Sequence, residues 1–322
     1  MMRIAHILHG WPAETMGGTG MYVLALAEAQ SALGHPTAIV SPHAGKATKQ
    51  MSTTSTTEHW RVQTSPVRRW SDTWNGTLNG WLHWCSDWQP DVVHIHHLSG
   101  WPLGLIEATT CHTVLTLHDY AIPCARGQLV TEDLAACVGP GDAQCSRCLA
   151  PALRTHPTLV ALGNLLRPFP RVASWGRKAV GRQNNSPDPR IRARLAAAKA
   201  ALEAADVLLA PSVDLSERMT RLGYPTAQHT ALPLLRPAVK PLPVPNGPVR
   251  FLFASTIIPT KGPDRVIDAF LEMDTIATLT IAGAAPNFPT HPNYAKRLQA
   301  RVAGNTRIQW LGCIAPDAIP KL

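Results

Sequence analysis

Histidines are concentrated at the ends of two short apolar runs of this sequence. The run "DVVHIHHL" carries His94, His96 and His97, and the run "HTVLTLHDY" carries His118 and Asp119. If both runs are strands of a parallel sheet, these side chains lie at or near its carboxyl edge, where open α/β sheets bind ligands. Imidazoles and a carboxylate at such an edge can hold a metal ion or contact a polar substrate.

From the residues alone, two interpretations of these histidines stay open. Strand alternation puts His94 and His96 on one face, and His97 begins the following loop. A metal-dependent hydrolase would use His94, His96 and His118 as ligands. Burial in the core with a hydrogen bond to a neighbouring side chain is the other interpretation.

A glycine- and proline-containing segment that follows His118 carries four cysteines. They are Cys124, Cys137, Cys145 and Cys148, and residues 124–148 are predicted to form a loop. The C-x-x-C spacing of Cys145 and Cys148 suits a tetrahedral ion, and two further thiols could complete a structural zinc site. Free buried thiols, or thiols with a redox or nucleophilic role, are the alternatives.

Two turns are placed to bind phosphate. Gly17 and Gly18 precede the helical pattern "MYVLALAEAQSALGH", and Lys261 and Gly262 precede "VIDAFLEM". A helix N-terminus offers unpaired N–H groups to an anion, and a lysine there suits a diphosphate. The first turn lacks the G-x-G-x-x-G spacing of dinucleotide-binding proteins, which disfavours a dehydrogenase. A simple tight turn and an ordinary exposed lysine are the alternatives.

The elements that must position these residues alternate along the chain. Short β-branched runs are separated by helical periods, which predicts a parallel sheet with helices on both faces. Residues 1–236 form a first domain of this kind, residues 237–248 a proline-rich linker, and residues 249–322 a second β-α alternation. The predicted fold class is therefore α/β with two Rossmann-like domains.

Charge and hydropathy narrow the classes of partner and compartment. The 322 residues carry a formal net charge of +9. A basic segment, residues 147–182, contains no Asp or Glu, which favours an anionic partner such as nucleotide phosphates or a phospholipid surface. No apolar run approaches the roughly 18 residues of a membrane helix, and no signal peptide is evident. We therefore expect a cytoplasmic protein, with peripheral binding at the inner membrane face as an option.

Several strings taken together resemble the retaining glycosyltransferases of family 4, which have the GT-B architecture of two Rossmann-like domains. These strings are "MGGTGMYVLALAEAQSALGH", "PDVVHIHHLSG", "LTLHDY", "AADVLLAPS", "FLFASTIIPTKGPDRVIDAF" and "ATLTIAGAAPNF". The resemblance implies transfer of a sugar from a nucleotide-diphosphate donor to a glycan or lipid-linked acceptor, with retention at the anomeric carbon. It implies no catalytic metal, and nucleic acid is not an expected partner.

The resemblance also assigns roles to individual residues. The first domain becomes the acceptor side, with His94, His96 and His97 in the acceptor cleft and His118 and Asp119 as catalytic residues. His118 matches the histidine that contacts the donor sugar in this family. The donor phosphates are assigned to Gly17, Gly18, Thr256, Lys261 and Gly262, and Lys261 matches the lysine that pairs with the diphosphate.

The sequence departs from the family pattern in two places. Ser255-Thr256 stands where the family has a Gly-Arg pair, and the chain ends before an E-x7-E segment that would hold the donor. We therefore expect an incomplete second domain and weak donor binding. A noncatalytic binding or remnant protein stapled by a metal, or one half of a split enzyme, is the alternative, with the metal-dependent hydrolase third.

Overall fold

The structure is a computed structural model, and it divides the chain into two compact units. The first unit comprises Met1–Thr131 and Ala136–Pro237, and the second comprises Ala238–Leu322 with Glu132–Ala135. The structure describes residues 1–10, 17–43, 48–51, 57–63, 75–131, 134–153, 188–230, 247–274, 276–286, 293–315 and 318–319. Most of the basic segment and residues 237–246 of the linker lie outside these ranges.

The first unit is built on one sheet. Its strands are β1 (Ile4–Ile7), β2 (Thr37–His43), β3 (Thr48–Met51), β4 (Glu58–Gln63), β5 (Val92–Ile95), β6 (His112–Thr116), β7 (Val207–Ala210) and β8 (Gln228–His229). In the described part of the chain their order is β3-β4-β2-β1-β5-β6-β7-β8. All neighbouring strands are parallel except β3, which runs antiparallel to β4 at one edge.

The strand order reverses at β1. From β1 the chain moves outward through β2 on one side, and β5 then pairs with the opposite side of β1. The pairing is in register, with His6 beside His94 and Ile7 beside Ile95. A crevice at the carboxyl ends of two strands on either side of such a reversal is where open α/β sheets bind ligands.

The helices of this unit begin in two different ways. They are α1 (Gly18–Ala32), α2 (Asn75–Trp88), α3 (Leu105–Ala108), α4 (Asp142–Leu153), α5 (Pro189–Ala204) and α6 (Val213–Arg221). Asp188 and Ser212 cap α5 and α6, because each side chain accepts a hydrogen bond from a backbone N–H of the first turn. In contrast, α1 has no side-chain cap and no acidic residue in its first turn.

Apolar side chains of the strands and helices bury the sheet. All four residues of β1 and the last three of β5 are buried, and Ile7 and Ile95 are inaccessible to solvent. On α2, Trp81, Trp84 and Trp88 stack on one another at helical spacing and join this core. None of the helices in the described ranges is both long enough and apolar enough to cross a bilayer.

The second unit repeats the β-α alternation on a smaller scale. It contains β9 (Val249–Ala254), a 3-10 turn (Pro259–Lys261), α7 (Pro263–Glu272), β10 (Ala277–Ala282), α8 (Tyr294–Val302) and β11 (Ile308–Gly312). Within the described residues its strands are parallel, in the order β11-β10-β9. Its separate core includes Ile257, Ile267, Phe270, Leu279 and Ile281.

One prediction about local structure was wrong. Residues 124–148 were expected to be a loop, whereas Cys145 and Cys148 lie in helix α4. Asp142 in its first turn favours this helix, because a carboxylate there interacts well with the N-terminal partial charge. Strands β3 and β4 and helix α2 were also not predicted.

Candidate functional site

A chain of hydrogen-bonded side chains runs through the first unit to His118. It begins at Gln30 on α1 and passes through His6 of β1 and then His96, which follows β5. The distances are 2.7 Å from Gln30 Oε1 to His6 Nε2, 3.1 Å from His6 Nδ1 to His96 Nε2, and 3.1 Å from His96 Nδ1 to His118 Nε2. We call these four residues the imidazole chain.

The imidazole chain determines which nitrogen of each ring carries the proton. An amide oxygen can only accept, so with Gln30 Oε1 facing the ring, His6 donates from Nε2. His6 Nδ1 then accepts from His96 Nε2, and His96 Nδ1 accepts from His118 Nε2. The remaining nitrogen, His118 Nδ1, is therefore an acceptor, and it makes no hydrogen bond with the described part of the chain.

Burial keeps these rings uncharged. Loss of solvation lowers the pKa of His6 to about 4 and the pKa of His118 to about 4. The pKa of His96 is also well below its usual range, because the ring is fully buried and other imidazoles surround it. At neutral pH the chain therefore consists of neutral rings, as the assignment of protons requires.

Neighbouring side chains complete the setting of the imidazole chain. The rings of His94 and His96 are tilted against each other with centroids 3.9 Å apart, and His94 Nε2 lies 2.8 Å from Thr116 Oγ1. Tyr22 on α1 presents its ring edge-on to His96 and His118, with centroids 5.9 Å and 5.6 Å away. The early turns of α1 are consequently next to His118.

His97 and Asp119 form a second pair at the same edge of the sheet. His97 Nδ1 accepts from Ser99 N at 3.0 Å, so Nε2 carries the proton and faces Asp119 Oδ2 at 3.4 Å. Asp119 Oδ1 accepts from Ala121 N at 2.8 Å. The Asp119 side chain is 46% exposed, compared with 11% for His97. The carboxylate is thus held in place but remains open to solvent.

Arg194 holds the segment that follows Asp119. This arginine lies on α5 and is 4% exposed. Its guanidinium donates to Ile122 O at 2.7 Å and to Ala121 O at 2.9 Å. A helix distant in sequence therefore fixes the backbone next to the two candidate catalytic residues.

The glycine turn stands directly before α1. Gly17 has extended backbone and precedes the helix, and its carbonyl accepts from Met21 N at 3.0 Å. A Cβ added at Gly18 would meet no atom within 4 Å. Within the described residues no side chain caps the first N–H groups of α1, and the partial charge at its N-terminus favours an anion.

In the second unit, Lys261 and Gly262 lie at the start of α7. Lys261 ends the 3-10 turn and is exposed, and Gly262 adopts a left-handed conformation with φ of 67° as the first residue before the helix. The hydroxyl of Thr260 is buried and has no hydrogen-bond partner among the residues described. Thr256 follows β9 and is exposed. Lys261 and Gly262 thus directly precede a helix N-terminus, which is where a phosphate can bind.

Residues 17–234 match the family model of the glycosyl transferase 4-like domain. The chain belongs to this family. The match covers most of the first unit. It includes the glycine turn, every residue of the imidazole chain except His6, and Asp119. Comparison with curated proteins finds no match.

Solved structures of glycosyltransferases share the fold of this glycosyl transferase 4-like chain. Sucrose-phosphate synthase from Thermosynechococcus elongatus is 17% identical, with a TM-score of 0.58 over 98% of this chain and 71% of its own. HepE of Anabaena, solved with UDP-glucose, is 11% identical, with a TM-score of 0.53 over 98% and 70%. The catalytic domain of starch synthase IV from Arabidopsis thaliana, bound to ADP and acarbose, is 11% identical, with a TM-score of 0.52 over 98% and 74%. The predicted Rossmann-like GT-B fold is confirmed.

In this family member, two predicted cleft residues occupy a different place. His94 is 8% exposed and His96 is 2% exposed, so both lie in the interior and not on the wall of an acceptor cleft. The alternation of β5 explains this, because it turns both rings toward His6 beneath the surface. His97, which is partly exposed, is the member of the three that can reach a ligand.

The hydrolase hypothesis placed a metal on His94, His96 and His118. Among the described residues, the group whose possible ligand atoms all lie within 4.8 Å of one another is instead His6, His94 and His96. All three are buried, and His118 is not a member. The geometry therefore does not form the triad that this hypothesis requires.

Sequence reasoning missed three residues of the site: His6, Gln30 and Tyr22. Tyr22 and Gln30 are eight residues apart on α1, so helical periodicity places them near one face. His6 sits two residues before Leu8 in a buried strand, which is an unusual place for a polar side chain. These signals suggest that each residue has a role, but they do not show that the three meet.

Proposed function

We propose that this protein transfers a sugar from a nucleotide-diphosphate donor to a glycan or lipid-linked acceptor, with retention at the anomeric carbon. The observation that carries the proposal is the position of His118. His118 follows β6 at the carboxyl edge of the sheet, beside β5, and its ring lies next to Tyr22 in the early turns of an uncapped helix. Membership of the glycosyl transferase 4-like family supports the reaction class.

The proposal gives His118 and Asp119 distinct tasks. His118 Nδ1 accepts a hydrogen bond from a hydroxyl of the donor sugar and orients it. A neutral ring suits this task, because a protonated imidazole could not accept. Asp119 supplies a fixed negative charge, which stabilises the positive charge that develops on a sugar ring as its glycosidic bond breaks.

The leaving nucleotide diphosphate gains negative charge as the bond breaks. In the second unit, the ammonium group of Lys261 and the N–H groups at the start of α7 are proposed to stabilise that charge. In the first unit, Gly17 and Gly18 leave the start of α1 accessible to a phosphate or an acceptor. Because these groups supply positive charge themselves, the proposed reaction needs no catalytic metal.

The acceptor side of the proposal rests on charge. The net charge of +9 and the basic segment, residues 147–182, favour an acceptor attached to an anionic lipid, or an anionic surface on which the protein works. HepE of Anabaena has been solved with UDP-glucose, so UDP-sugars are the first donors to test.

A donor panel tests the proposal. The full chain is incubated with UDP-, GDP- and ADP-sugars, and thermal shifts and donor hydrolysis are recorded, followed by the anomeric configuration of the released or transferred sugar by NMR. We expect one nucleotide class to stabilise the protein and its sugar to be released as the same anomer. Binding without turnover would favour a noncatalytic binding protein, and no response to any donor would contradict the proposal.

A further inference from the structure

The backbone brings four cysteines to one region between Asp119 and α5. The first, Cys124, opens a tight turn that Gly127 N closes by donating to Cys124 O at 2.7 Å. Gly127 has φ of 84°, a left-handed conformation that glycine adopts without strain. Cys124, which is half-buried, thus stands at the start of the segment.

The chain then doubles back to add a second sulfur. Val130 and Ala136 form an antiparallel bridge, and Cys137 N donates to Leu129 O at 2.8 Å. Cys137 therefore returns to within a few residues of the turn that holds Cys124. The bridge closes a hairpin that ends at Cys137.

Helix α4 provides the other two sulfurs. Cys145 and Cys148 are three residues apart near its beginning, so both lie on one face of the helix. Gly141 N donates to Cys145 Sγ at 3.4 Å. Sulfurs of metal-binding cysteines commonly accept such hydrogen bonds, which tune their charge.

Two contacts join the turn, the hairpin and the helix. Arg126, inside the first turn, donates to Cys148 Sγ at 3.6 Å, and Gln144 on α4 donates to Cys137 Sγ at 3.3 Å.

We propose that Cys124, Cys137, Cys145 and Cys148 bind one zinc ion as a closed four-sulfur site. Zinc takes four thiolates in a tetrahedron at about 2.3 Å each, and the C-x-x-C pair on α4 supplies the usual close pair. A short segment with two hairpin-like turns and one helix has little core of its own, and a metal would hold its parts together. The proposal stands independently of sugar transfer.

Among the described residues, the possible ligand atoms of His6, His94 and His96 all lie within 4.8 Å of one another. The sulfurs of the four cysteines are more widely spread. Chemistry nevertheless favours the cysteines. Both nitrogens of His6 and of His96 already have hydrogen-bond partners. Three neutral imidazoles would leave the double charge of zinc uncompensated in a buried place, whereas thiolates neutralise it.

The surroundings suit an anionic zinc-thiolate centre. Arg126 contacts Cys148, and Arg218 on α6 donates to Cys137 O at 2.9 Å. The same segment is tied to α5, since Asp188 N donates to Ser146 Oγ at 2.8 Å. Tyr120 N donates to Gly127 O at 3.2 Å, so the zinc segment is continuous with the residues that follow His118 and Asp119.

Metal content of the purified full chain tests the site. We expect one zinc per chain by elemental analysis, and its loss in the variants Cys145→Ser and Cys148→Ser. Cys85→Ala and Cys313→Ser are matched controls, because these thiols lie on α2 and after β11, and they should retain the metal. Replacement of His94 by Asn should also leave the zinc in place.

If the cysteine variants fail to fold, a second measurement on the wild-type protein still tests the site. An organomercurial is titrated into the wild-type chain while a dye reports free zinc, and we expect zinc release to follow modification of the four thiols. The proposal would be overturned if the protein contained no zinc, or if it contained iron with sulfide instead. It would also be overturned if zinc stayed after Cys145 and Cys148 were both replaced, or if zinc were lost in His94→Asn.

Discussion

His96 Nδ1 lies 3.1 Å from His118 Nε2, and this contact connects a buried histidine to the one at the edge of the sheet. His96 is 2% exposed and takes its own orientation from His6 and, beyond it, from Gln30. A catalytic candidate in a loop is thus oriented by β1, β5 and α1, which are rigid elements. Functional groups supported in this way keep one geometry.

Gln30 is predicted to determine the tautomer of His118. In Gln30→Leu the acceptor for His6 Nε2 is gone, so the rings can reverse their donors, and we expect a mixture of tautomers at His118 and a loss of activity of about tenfold. Nitrogen-15 NMR of the imidazoles measures the tautomers directly. Gln30→Glu, which keeps an acceptor oxygen, is the control. An unchanged Nε2-protonated His118 in Gln30→Leu would show that the imidazole chain does not act this way.

The buried histidine rings are predicted to make the folded protein less stable as the pH falls. The pKa values of His6 and His118 are about 4 and that of His94 is about 3, all below the unfolded value of 6.5. Between pH 6.5 and these values the unfolded chain binds more protons, so stability is complete above pH 6.5 and decreases as the pH falls. Each pKa unit of difference corresponds to about 1.4 kcal/mol.

Denaturant unfolding followed by tryptophan fluorescence at pH values from 7 to about 4 checks this prediction. The variant His94→Asn can keep a hydrogen bond to Thr116 and removes one titrating ring, so its stability should depend less steeply on pH. Equal slopes for the variant and the wild type would exclude His94 as a source of the acid sensitivity.

Lys261 is predicted to contribute to donor affinity and not to stability. Its ammonium group is exposed at the start of α7, so Lys261→Ala should leave the melting temperature unchanged. Loss of a charge-assisted contact with a diphosphate costs about 1.5–3 kcal/mol, which corresponds to about a tenfold to hundredfold weaker affinity. Calorimetric titration with nucleoside diphosphates measures the effect.

A lysine elsewhere in the same unit is the control for that experiment. Lys296 on α8 is also exposed, and Lys296→Ala should bind the nucleotide like the wild type. If both variants weaken binding equally, the effect comes from net charge and not from the position of Lys261.

Gly283 is predicted to be indispensable for the second unit. A Cβ added at this glycine, which follows β10, would overlap the carbonyl oxygen of Ser255. The Ser255 oxygen belongs to the backbone, so a side-chain rotation cannot relieve the strain. We expect Gly283→Ala to lower the free energy of unfolding of this unit by about 4 kcal/mol or more.

The variant Gly304→Ala distinguishes the cost of this overlap from the cost of placing alanine at a positive φ. Gly304 has φ of 84°, and an added Cβ would meet no atom within 4 Å, so the expected cost is about 1 kcal/mol. Thermal unfolding of both variants measures the difference. Equal melting temperatures would contradict the predicted overlap at Gly283.

Local pattern was sufficient for much of the fold. Short β-branched runs predicted β5, β6 and the β-α alternation of both units, because strand burial leaves a periodic trace in the sequence. It did not reveal β3 and β4, which are short and polar, nor α2, whose tryptophans are separated by polar residues.

The sequence by itself determined which chemical groups are present and which strand ends they occupy. The alternation of strands alone placed His97, His118 and Asp119 at the carboxyl edge of the sheet. The same kind of local pattern placed Lys261 just before α7. These conclusions needed only residue types and local periodicity, which the order of amino acids contains directly.

Only the tertiary structure decided which of these groups meet. His6 and His96 are 90 residues apart, and they touch because β5 pairs with β1 in register at the point where the strand order reverses. Strand order and the register of pairing depend on how all the layers pack together, and no local pattern encodes them. For that reason the sequence predicted that His96 faces a ligand, whereas in the fold His96 is buried and hydrogen-bonded to His118.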